Sequence, residues 1–430
     1  MLLCADGSPR EASAIVVHVT GAPTTAGLAG NRDFAILWLG DLASELGSAM
    51  SMLVFPLLGY ALTHSTTQAA LATAAFFAAG TITRLPAGAL VDRWSRRRVL
   101  LISNLASAGV FGVLALLVAI GSASIELLVA TGVFAAVAET FFSPAASASL
   151  RAVVAPEYLA QAYTRMQARH HVASLIGPPL GGALFAAAAS LPFAVDAVSF
   201  AAFAVAVLFL RAPLPAPVRT GQPRLRADLL EGLRFLWSQR AARAVMLWGG
   251  ILNFAMSYVL ISITLRLVRA GVHPAAIGAI DAIAAGAGIV GAAVTSRQVQ
   301  RLPTGATAMI TGLILAAVVV PMAWTTDVRV IGALLAIGTF LLPANNAGIG
   351  AYLSFVTPEQ LQGRLNSAAG FVSSGLMPLA PVVAGALLAT IGATAGTLVG
   401  AALVACSVGP LVLEPSVRRL GRPAEWAAAG

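Results

Sequence analysis

The sequence predicts an all-α membrane protein with twelve transmembrane helices arranged as two six-helix repeats. Three observations lead to this prediction: a highly apolar composition, recurring apolar stretches, and a short motif that returns half a chain later. Of the 430 residues, 58% are hydrophobic and 10% are charged, whereas soluble domains carry about 25% charged residues. A chain this apolar cannot cover a water-facing surface, so lipid must solvate it.

The apolar stretches and the breaks between them predict the helix boundaries. Each stretch is long enough to cross ~30 Å of hydrocarbon. The twelve predicted helices lie at 35–63, 68–91, 98–120, 125–148, 163–187, 192–210, 244–266, 274–296, 304–324, 328–352, 365–391 and 394–413. The motif VAPEYL at 154–159 returns as VTPEQL at 356–361, after the fourth helix of each half. This spacing favours a parallel repeat of six helices.

The distribution of arginines predicts how the chain is oriented. The tails and the even-numbered connections hold all but four of the 26 basic residues. The exceptions are Arg84, Arg266, Arg269 and Arg329. Basic residues concentrate on the cytoplasmic side of membrane proteins, so we expect both termini in the cytoplasm. An alanine-rich chain without lysine is typical of a GC-rich bacterial genome, and we expect a bacterial cytoplasmic (inner) membrane.

These boundaries and this orientation divide the chain into five parts. The parts are a cytoplasmic tail at 1–30, a first bundle at 31–210, a cytoplasmic linker at 211–243, a second bundle at 244–413 and a cytoplasmic tail at 414–430. Within the linker, residues 228–238 form a candidate amphipathic helix that lies on the anionic leaflet.

Composition and motifs argue against several functional classes. The net charge of +9 comes in short clusters between apolar stretches, which indicates membrane topology and no nucleic-acid partner. A Walker A loop needs a lysine, and the chain has none, which argues against an ATP-driven pump. Cys4 and Cys406 lie at opposite ends, so they form neither a disulfide framework nor a metal site. Without zincin or nucleophile-elbow motifs, we expect no enzyme and no cofactor, and we expect a monomer.

A basic loop between the second and third predicted helices carries the most specific motif. It reads GALVDRWSRRR at 88–98 and contains Gly88, Asp92, Arg93, Arg96 and Arg97. Glycine permits close helix approach, and arginines pair with carboxylates, although a basic loop can also serve only to fix topology. The loop resembles the signature of the major facilitator superfamily. This resemblance implies a secondary transporter that rocks two bundles around a midplane site, with the loop as a conformational gate.

The fifth predicted helix carries a second motif of the same family. It reads GPPLGG at 177–182, with Gly177, Pro178, Gly181 and Gly182. It resembles the core of the family's antiporter motif, although earlier glycines of that motif are missing. A glycine- and proline-rich membrane helix can also be only a packing face.

Further stretches resemble one bacterial branch, the macrolide- and siderophore-exporter-like drug:proton antiporters. They are LWLG at 37–40, ETFFSPA at 139–145, DAVSF at 196–200, EGLRFLW at 231–237 and GR at 363–364. The resemblance implies export of a small amphipathic or lipophilic molecule in exchange for protons. Unlike larger drug-antiporter branches, this chain has no arginine at 126–149, so that route of proton coupling is absent.

Ionisable residues inside the predicted helices are the candidates for proton coupling, because each costs about 2.5–3.5 kcal/mol to insert. The candidates are Asp41, Glu45, Arg84, Glu139 and His170. Asp41 and Glu45 share one helical face, and we expect Arg84 to pair with Asp41, leaving Glu45 and Glu139 beside a central cavity. A packing ion pair is the structural alternative. His171 points about 100° away from His170, so at most one of them faces the cavity. Asp196 and Asp281 lie nearer the outer helix ends, and we expect a structural role for Asp196.

Aromatic and amide side chains in the second half are the candidates for substrate contact. They are Trp248, Asn253, Tyr258, Asn345 and Asn346. Tryptophan and tyrosine in membrane helices also serve as interface anchors. The Asn345–Asn346 pair, deep in a predicted helix, is harder to explain by packing alone.

Three alternatives to an exporter stay open at this point. The first is a dedicated siderophore, lysophospholipid or nutrient carrier of the same fold. The second is a membrane-embedded enzyme that uses His170 and His171 with a carboxylate. The third is a non-transporting sensor, which should carry an appended soluble domain.

Overall fold

The computed structural model describes residues 28–91, 94–214, 225–358 and 361–429. In these residues the regular secondary structure is helical, without strands. Ten segments are long and apolar enough to cross a membrane. Two further helices, of 26 and 29 residues, are about 39 Å or more in length, which also suffices to cross. Together they make twelve passes through the bilayer.

The first half of the chain forms six helices. They are α1 (Arg32–Thr63), α2 (Thr66–Val91), α3 (Arg96–Ala119), α4 (Ile125–Val153), α5 (Leu159–Ala187) and α6 (Leu191–Leu208). Asn31 caps α1 by accepting a hydrogen bond from the Phe34 amide at 2.9 Å, and its side chain donates to the Val153 carbonyl at the end of α4 at 2.7 Å. Helix starts and ends therefore alternate between two faces of the molecule.

The second half follows a short linker helix, α7, and several of its helices are shorter than those of the first half. The helices are α7 (Leu225–Ser238), α8 (Arg240–Arg269), α9 (Pro274–Arg301), α10 (Thr304–Met322), α11 (Val328–Thr339), α12 (Leu342–Val356), α13 (Gln362–Ser374), α14 (Leu379–Thr390), α15 (Gly392–Ser407), α16 (Gly409–Leu413), α17 (Pro415–Arg418) and α18 (Pro423–Ala429). Each of the last three membrane passes consists of two helices: α11 with α12, α13 with α14, and α15 with α16.

Proline explains two of these breaks, which the predicted continuous helices at 328–352 and 365–391 did not contain. Pro343 stands in the first turn of α12, and Pro378 immediately precedes α14. Proline has no amide hydrogen and its ring collides with the preceding turn. A helix can begin at such a residue but cannot continue through it undisturbed, so both passes break at these prolines.

The two faces of the molecule are defined here by their helix ends. We call the face with the start of α1 and the end of α6 the terminal face, because Asp33 accepts hydrogen bonds from the amides of Arg211 and Ala212 there, at 2.7 to 3.2 Å. The opposite face, with the turn from α1 to α2 at 63–66, is the distal face.

Glycines hold the two bundles together near the distal face. Gly182 of α5 lies against the backbone of Pro274, and Gly278 of α9 lies against the backbone of Pro178. Any Cβ atom at either glycine would collide with main-chain atoms of the opposite bundle. Gly385 of α14 makes the same kind of contact with the first turn of α2. Small residues allow membrane helices this close approach, and they close the interface at its distal end.

Candidate functional site

A large cavity lies between the two bundles on the terminal side of these glycine contacts. Its volume is about 1130 Å³. Helices α1, α4 and α5 supply one wall, and α8, α9 and α12 supply the other. Tyr163, near the start of α5, lines it and is 43% exposed. The cavity is therefore closed at the distal end and open toward the terminal face.

A cluster of charged side chains forms the first-half wall of the cavity. Arg169 of α5 forms a short ion pair with Asp41, and its Nε lies 2.6 Å from Glu45 Oε2. That second contact is an ion pair without hydrogen-bond alignment, because Glu45 Oε2 and Arg169 Nε lack a hydrogen-bond partner. His170 Nδ1 lies 2.5 Å from Glu45 Oε1. Arg169 therefore pairs with both carboxylates, and His170 also contacts Glu45.

The packing of α5 on α1 produces this cluster. Asp41 and Glu45 are four residues apart, so both project from one face of α1. Gly177 and Gly181 bring α5 against that helix, since a Cβ at Gly181 would lie 2.9 Å from Met50 Cα. The first half of α5, two turns before Gly177, then carries Arg169 and His170 to the carboxylates. The glycines of the helix-5 motif therefore position the charged cluster.

Glu139 of α4 is an unpaired acid on the first-half wall of the cavity. Its side chain faces the cavity, and it forms no hydrogen bond or ion pair with any described residue. The ion pairs of Asp41, Glu45 and Arg169 lie across the same space. This wall carries three carboxyl groups and one guanidinium, which pairs with Asp41 and Glu45, so Glu139 is the carboxyl group of this wall that is left without an ion pair.

The predicted pairing of Arg84 with Asp41 is wrong. Asp41 pairs with Arg169 instead. Arg84 of α2 donates from Nη1 to the Ser374 hydroxyl oxygen at 2.9 Å, which is a contact between the two halves of the molecule. Sequence depth alone placed Arg84 and Asp41 at similar levels, but it did not determine which helix faces α1 at that level.

Arg169 is a site residue that was not predicted from the sequence. The arginine count assigns it to the residues that indicate topology, whereas His170, the next residue, is predicted to lie inside the membrane. Arg169 lies ten residues into α5, about 15 Å along the helix axis, and its side chain is only 12% exposed. Its distance from the helix start was the signal that could have identified it.

Four of the five candidates for substrate contact line the cavity, and the fifth does not. Trp248, Asn253, Asn345 and Asn346 face it from α8 and α12. Tyr258 is fully buried and donates its hydroxyl hydrogen to the Gly396 carbonyl at 2.7 Å, so its proposed place in the cavity is a wrong prediction. Asp281 of α9, predicted only to lie near a helix end, also lines the cavity.

Asp196 lies inside the first bundle, away from the main cavity. It is fully buried and accepts a hydrogen bond from the Ser51 hydroxyl at 2.5 Å. Gly47 of α1 lies directly against its carboxyl group. These contacts join α6 to α1.

Only part of the loop motif lies in the residues that the structure describes. Gly88 lies within α2, whereas Asp92 and Arg93 lie outside the described residues. Arg97 donates hydrogen bonds to the carbonyls of Val207, Leu208 and Leu210 at 2.6 to 3.3 Å. It therefore ties the start of α3 to the carbonyls at the end of α6, where a helix leaves carbonyls exposed. Arg96 stands beside it in the first turn of α3, with a buried Nε that lacks a partner.

Comparison with known proteins identifies the family. The model of the Major Facilitator Superfamily matches residues 37–381. The chain belongs to this superfamily. Among the described residues, no group of three or more His, Cys, Asp or Glu side chains is arranged to hold a metal ion.

Relatives of this superfamily member include proteins described as the multidrug efflux pump Tap. The protein of that name from Mycobacterium tuberculosis is 27% identical over 410 residues, which cover 91% of this chain and 95% of the relative. The one from Mycolicibacterium fortuitum is 27% identical over 371 residues, which cover 82% of this chain and 88% of the relative.

Solved transporters share the fold at low sequence identity. A bacterial homologue of the human lysosomal transporter Spinster, in an inward-facing conformation, has a TM-score of 0.67 and 16% identity, covering 90% of this chain and 95% of its own. A bacterial homologue of the iron transporter ferroportin, also inward-facing, has a TM-score of 0.63 and 19% identity, covering 90% and 97%. A POT family transporter has a TM-score of 0.72 and 12% identity, covering 92% and 98%.

Proposed function

We propose that this major facilitator exports small amphipathic or lipophilic molecules, such as antibiotics or secondary metabolites, from a bacterial cytoplasm in exchange for protons. The observation that carries the proposal is the unpaired Glu139 in a large cavity that is closed at one end. The multidrug efflux pumps that match along nearly the whole chain support the same substrate class.

Competition at one carboxyl group is enough to couple the two movements. When Glu139 is ionised, it attracts a cationic or hydrogen-bond-donating substrate; when it is protonated, that attraction is lost. Such a site binds either the substrate or a proton, and the protein switches between its two open faces only when one of them is bound. Substrate and proton are then exchanged across the membrane. Glu45 is the less favourable proton acceptor of the two, because its ion pair with Arg169 and its contact with His170 stabilise the ionised carboxylate.

The orientation that we propose places the terminal face in the cytoplasm. Arginines concentrate in the connections at this face, and basic residues favour the cytoplasmic side. The cavity then opens to the cytoplasm, where it can collect substrates directly. Opening of the distal contacts between α5 and α9, and between α2 and α14, would release them outside.

Uptake into inside-out vesicles tests proton-driven export. Vesicles with an acidic interior should accumulate ethidium, a lipophilic cation, and lose it when an uncoupler is added. Glu139→Gln should abolish gradient-driven accumulation. Glu126→Gln, at the exposed start of the same helix, is the matched control and should behave like the unmodified protein.

Two results would count against the proposal. Accumulation that is independent of the gradient would exclude proton antiport. Failure of the unmodified protein to move ethidium or any of a panel of antibiotics would exclude broad export and favour a dedicated siderophore, lysophospholipid or nutrient carrier.

A further inference from the structure

A small side pocket extends from the cavity into the first bundle, behind Glu139. Its volume is about 110 Å³, and it shares Ser48, Met52, Phe76 and Glu139 with the main cavity. An apolar protein cavity of about 150 Å³ accommodates a benzene molecule. The side pocket therefore has nearly the size of one aromatic ring, and Glu139 stands where it joins the main cavity.

Four phenylalanine rings line this pocket. Phe55 and Phe76 lie with their ring centroids 6.3 Å apart, and Phe111 and Phe200 stack with centroids 5.9 Å apart. The Phe55 ring sits against Gly132, where a Cβ would lie 2.8 Å from the ring. Such rings present broad apolar faces that favour another aromatic group at centroid distances of about 4.5–7 Å.

The polar groups around the pocket favour a positively charged ligand. Glu139 is the one charged residue among those that line it. Two of the hydroxyl groups are already committed, since Ser51 donates to Asp196 and Thr73 donates to the Ala69 carbonyl at 3.2 Å. The nearby cation, Arg169, is paired with Asp41 and Glu45, so it does not offset Glu139. An anion would find a carboxyl group at the entrance and no free cation.

We propose that the side pocket is a specificity subsite that holds an aromatic limb of the transported molecule while the molecule's cationic group lies at Glu139. The ligand class is an aromatic ring joined by a short link to an amine or quaternary ammonium. Phenylalanine faces also attract cations within about 6 Å, which adds to the preference for such a molecule. The inference rests on the proposed function only in taking this cavity as the substrate's route.

Equilibrium binding of matched probes tests the subsite without any proton gradient. Calorimetry on the full chain in detergent would compare benzyltrimethylammonium, tetramethylammonium and phenylacetate. Burial of the phenyl ring should make the benzyl compound bind about tenfold or more tightly than tetramethylammonium. Phenylacetate should bind more weakly than the benzyl compound. Equal affinities for the two cations, or preference for phenylacetate, would overturn the proposal.

A variant that fills the pocket localises the effect. Ala135 lines the pocket one turn from Glu139, and Ala135→Leu should remove the advantage of the benzyl compound while leaving tetramethylammonium affinity within about twofold. Ala130→Leu, on the exposed face of the same helix, should keep the full advantage. If Ala135→Leu does not yield folded protein, Ser107→Leu fills the pocket from α3.

The binding test and the export test fail independently. An unchanged benzyl advantage in folded Ala135→Leu or Ser107→Leu would show that the ring binds elsewhere, even if ethidium export is driven by protons. Absence of proton-driven export would reject the proposed function, while a benzyl advantage that disappears in the filled variants would still establish the subsite.

Discussion

At the scale of single residues, Arg169 is the group on which the charged wall depends. Its guanidinium contacts both Asp41 and Glu45, and the Arg169 and Asp41 side chains are each only 12% exposed. Removing one partner of a buried pair leaves an uncompensated charge, whereas removing both partners can be nearly neutral. The three side chains therefore need to be changed together if stability is to be retained.

This dependence predicts the result of a double-mutant cycle. Arg169→Gln should lower the melting temperature in detergent by about 5 °C or more, and Asp41→Asn added to it should recover part of the loss. Arg165→Gln, at an exposed position one turn earlier on α5, is the control and should change little. Equal melting temperatures for Arg169→Gln and Arg165→Gln would show that the cluster contributes no stability.

Sequence reasoning identified the acids of this site but not their partner. An acid inside an apolar stretch is conspicuous because it is costly there, and on this ground Asp41, Glu45 and Glu139 were selected. The partner depends on which helix packs against α1, and the glycines at 177 and 181 determine that through contacts far away in sequence. Tyr258 shows the same limit. The sequence places it on α8, but whether its side chain faces the cavity or Gly396 depends on how α8 is oriented about its own axis.

At the scale of helices, the contact between α5 and α9 keeps the distal end closed. Gly278 lies against the backbone of Pro178, whereas Gly288, ten residues later on α9, has open space where a side chain would be. A leucine at Gly278 cannot be accommodated by side-chain rotation, because the atoms that it meets are main-chain atoms. The same substitution at both glycines changes helix propensity alike, so a difference between the two variants reports the contact with α5.

Gly278→Leu should shift the protein toward a state with the distal end open. Spin labels on cysteines introduced at Ala188 and Ala270, in a chain without its native cysteines, would report the distance across the distal face. That distance should lengthen in Gly278→Leu and stay unchanged in Gly288→Leu. The same distance in both variants would mean that the contact does not hold the end closed.

Helix positions followed from the sequence because the hydrophobic thickness of the bilayer sets the length of each apolar stretch. The predicted start of α9 at 274 and of α10 at 304 agrees with the structure. The breaks at Pro343 and Pro378 were not predicted. Proline is tolerated in membrane helices when neighbouring groups satisfy the backbone, so its presence alone does not distinguish a kink from a break.

At the scale of the whole molecule, two bundles that meet at one end and separate at the other make a cavity that is closed at the distal end. The distal glycine contacts and the exposed start of α5 both indicate access from the terminal face. The arginine-rich connections independently predict that this face lies in the cytoplasm. We therefore expect the cavity to be reached from the cytoplasmic side of the membrane.

Thiol labelling tests both arguments at once. In a chain without native cysteines, Ala285→Cys lies in the cavity and Ala188→Cys lies at the exposed distal end. A membrane-impermeant maleimide should label Ala285→Cys in inside-out vesicles but not in intact cells, and Ala188→Cys should show the reverse. If Ala188→Cys reacts as expected while Ala285→Cys reacts only from outside, the orientation is right and the resting state is open outward. If both patterns are reversed, the terminal face lies outside, and the proposed orientation is wrong.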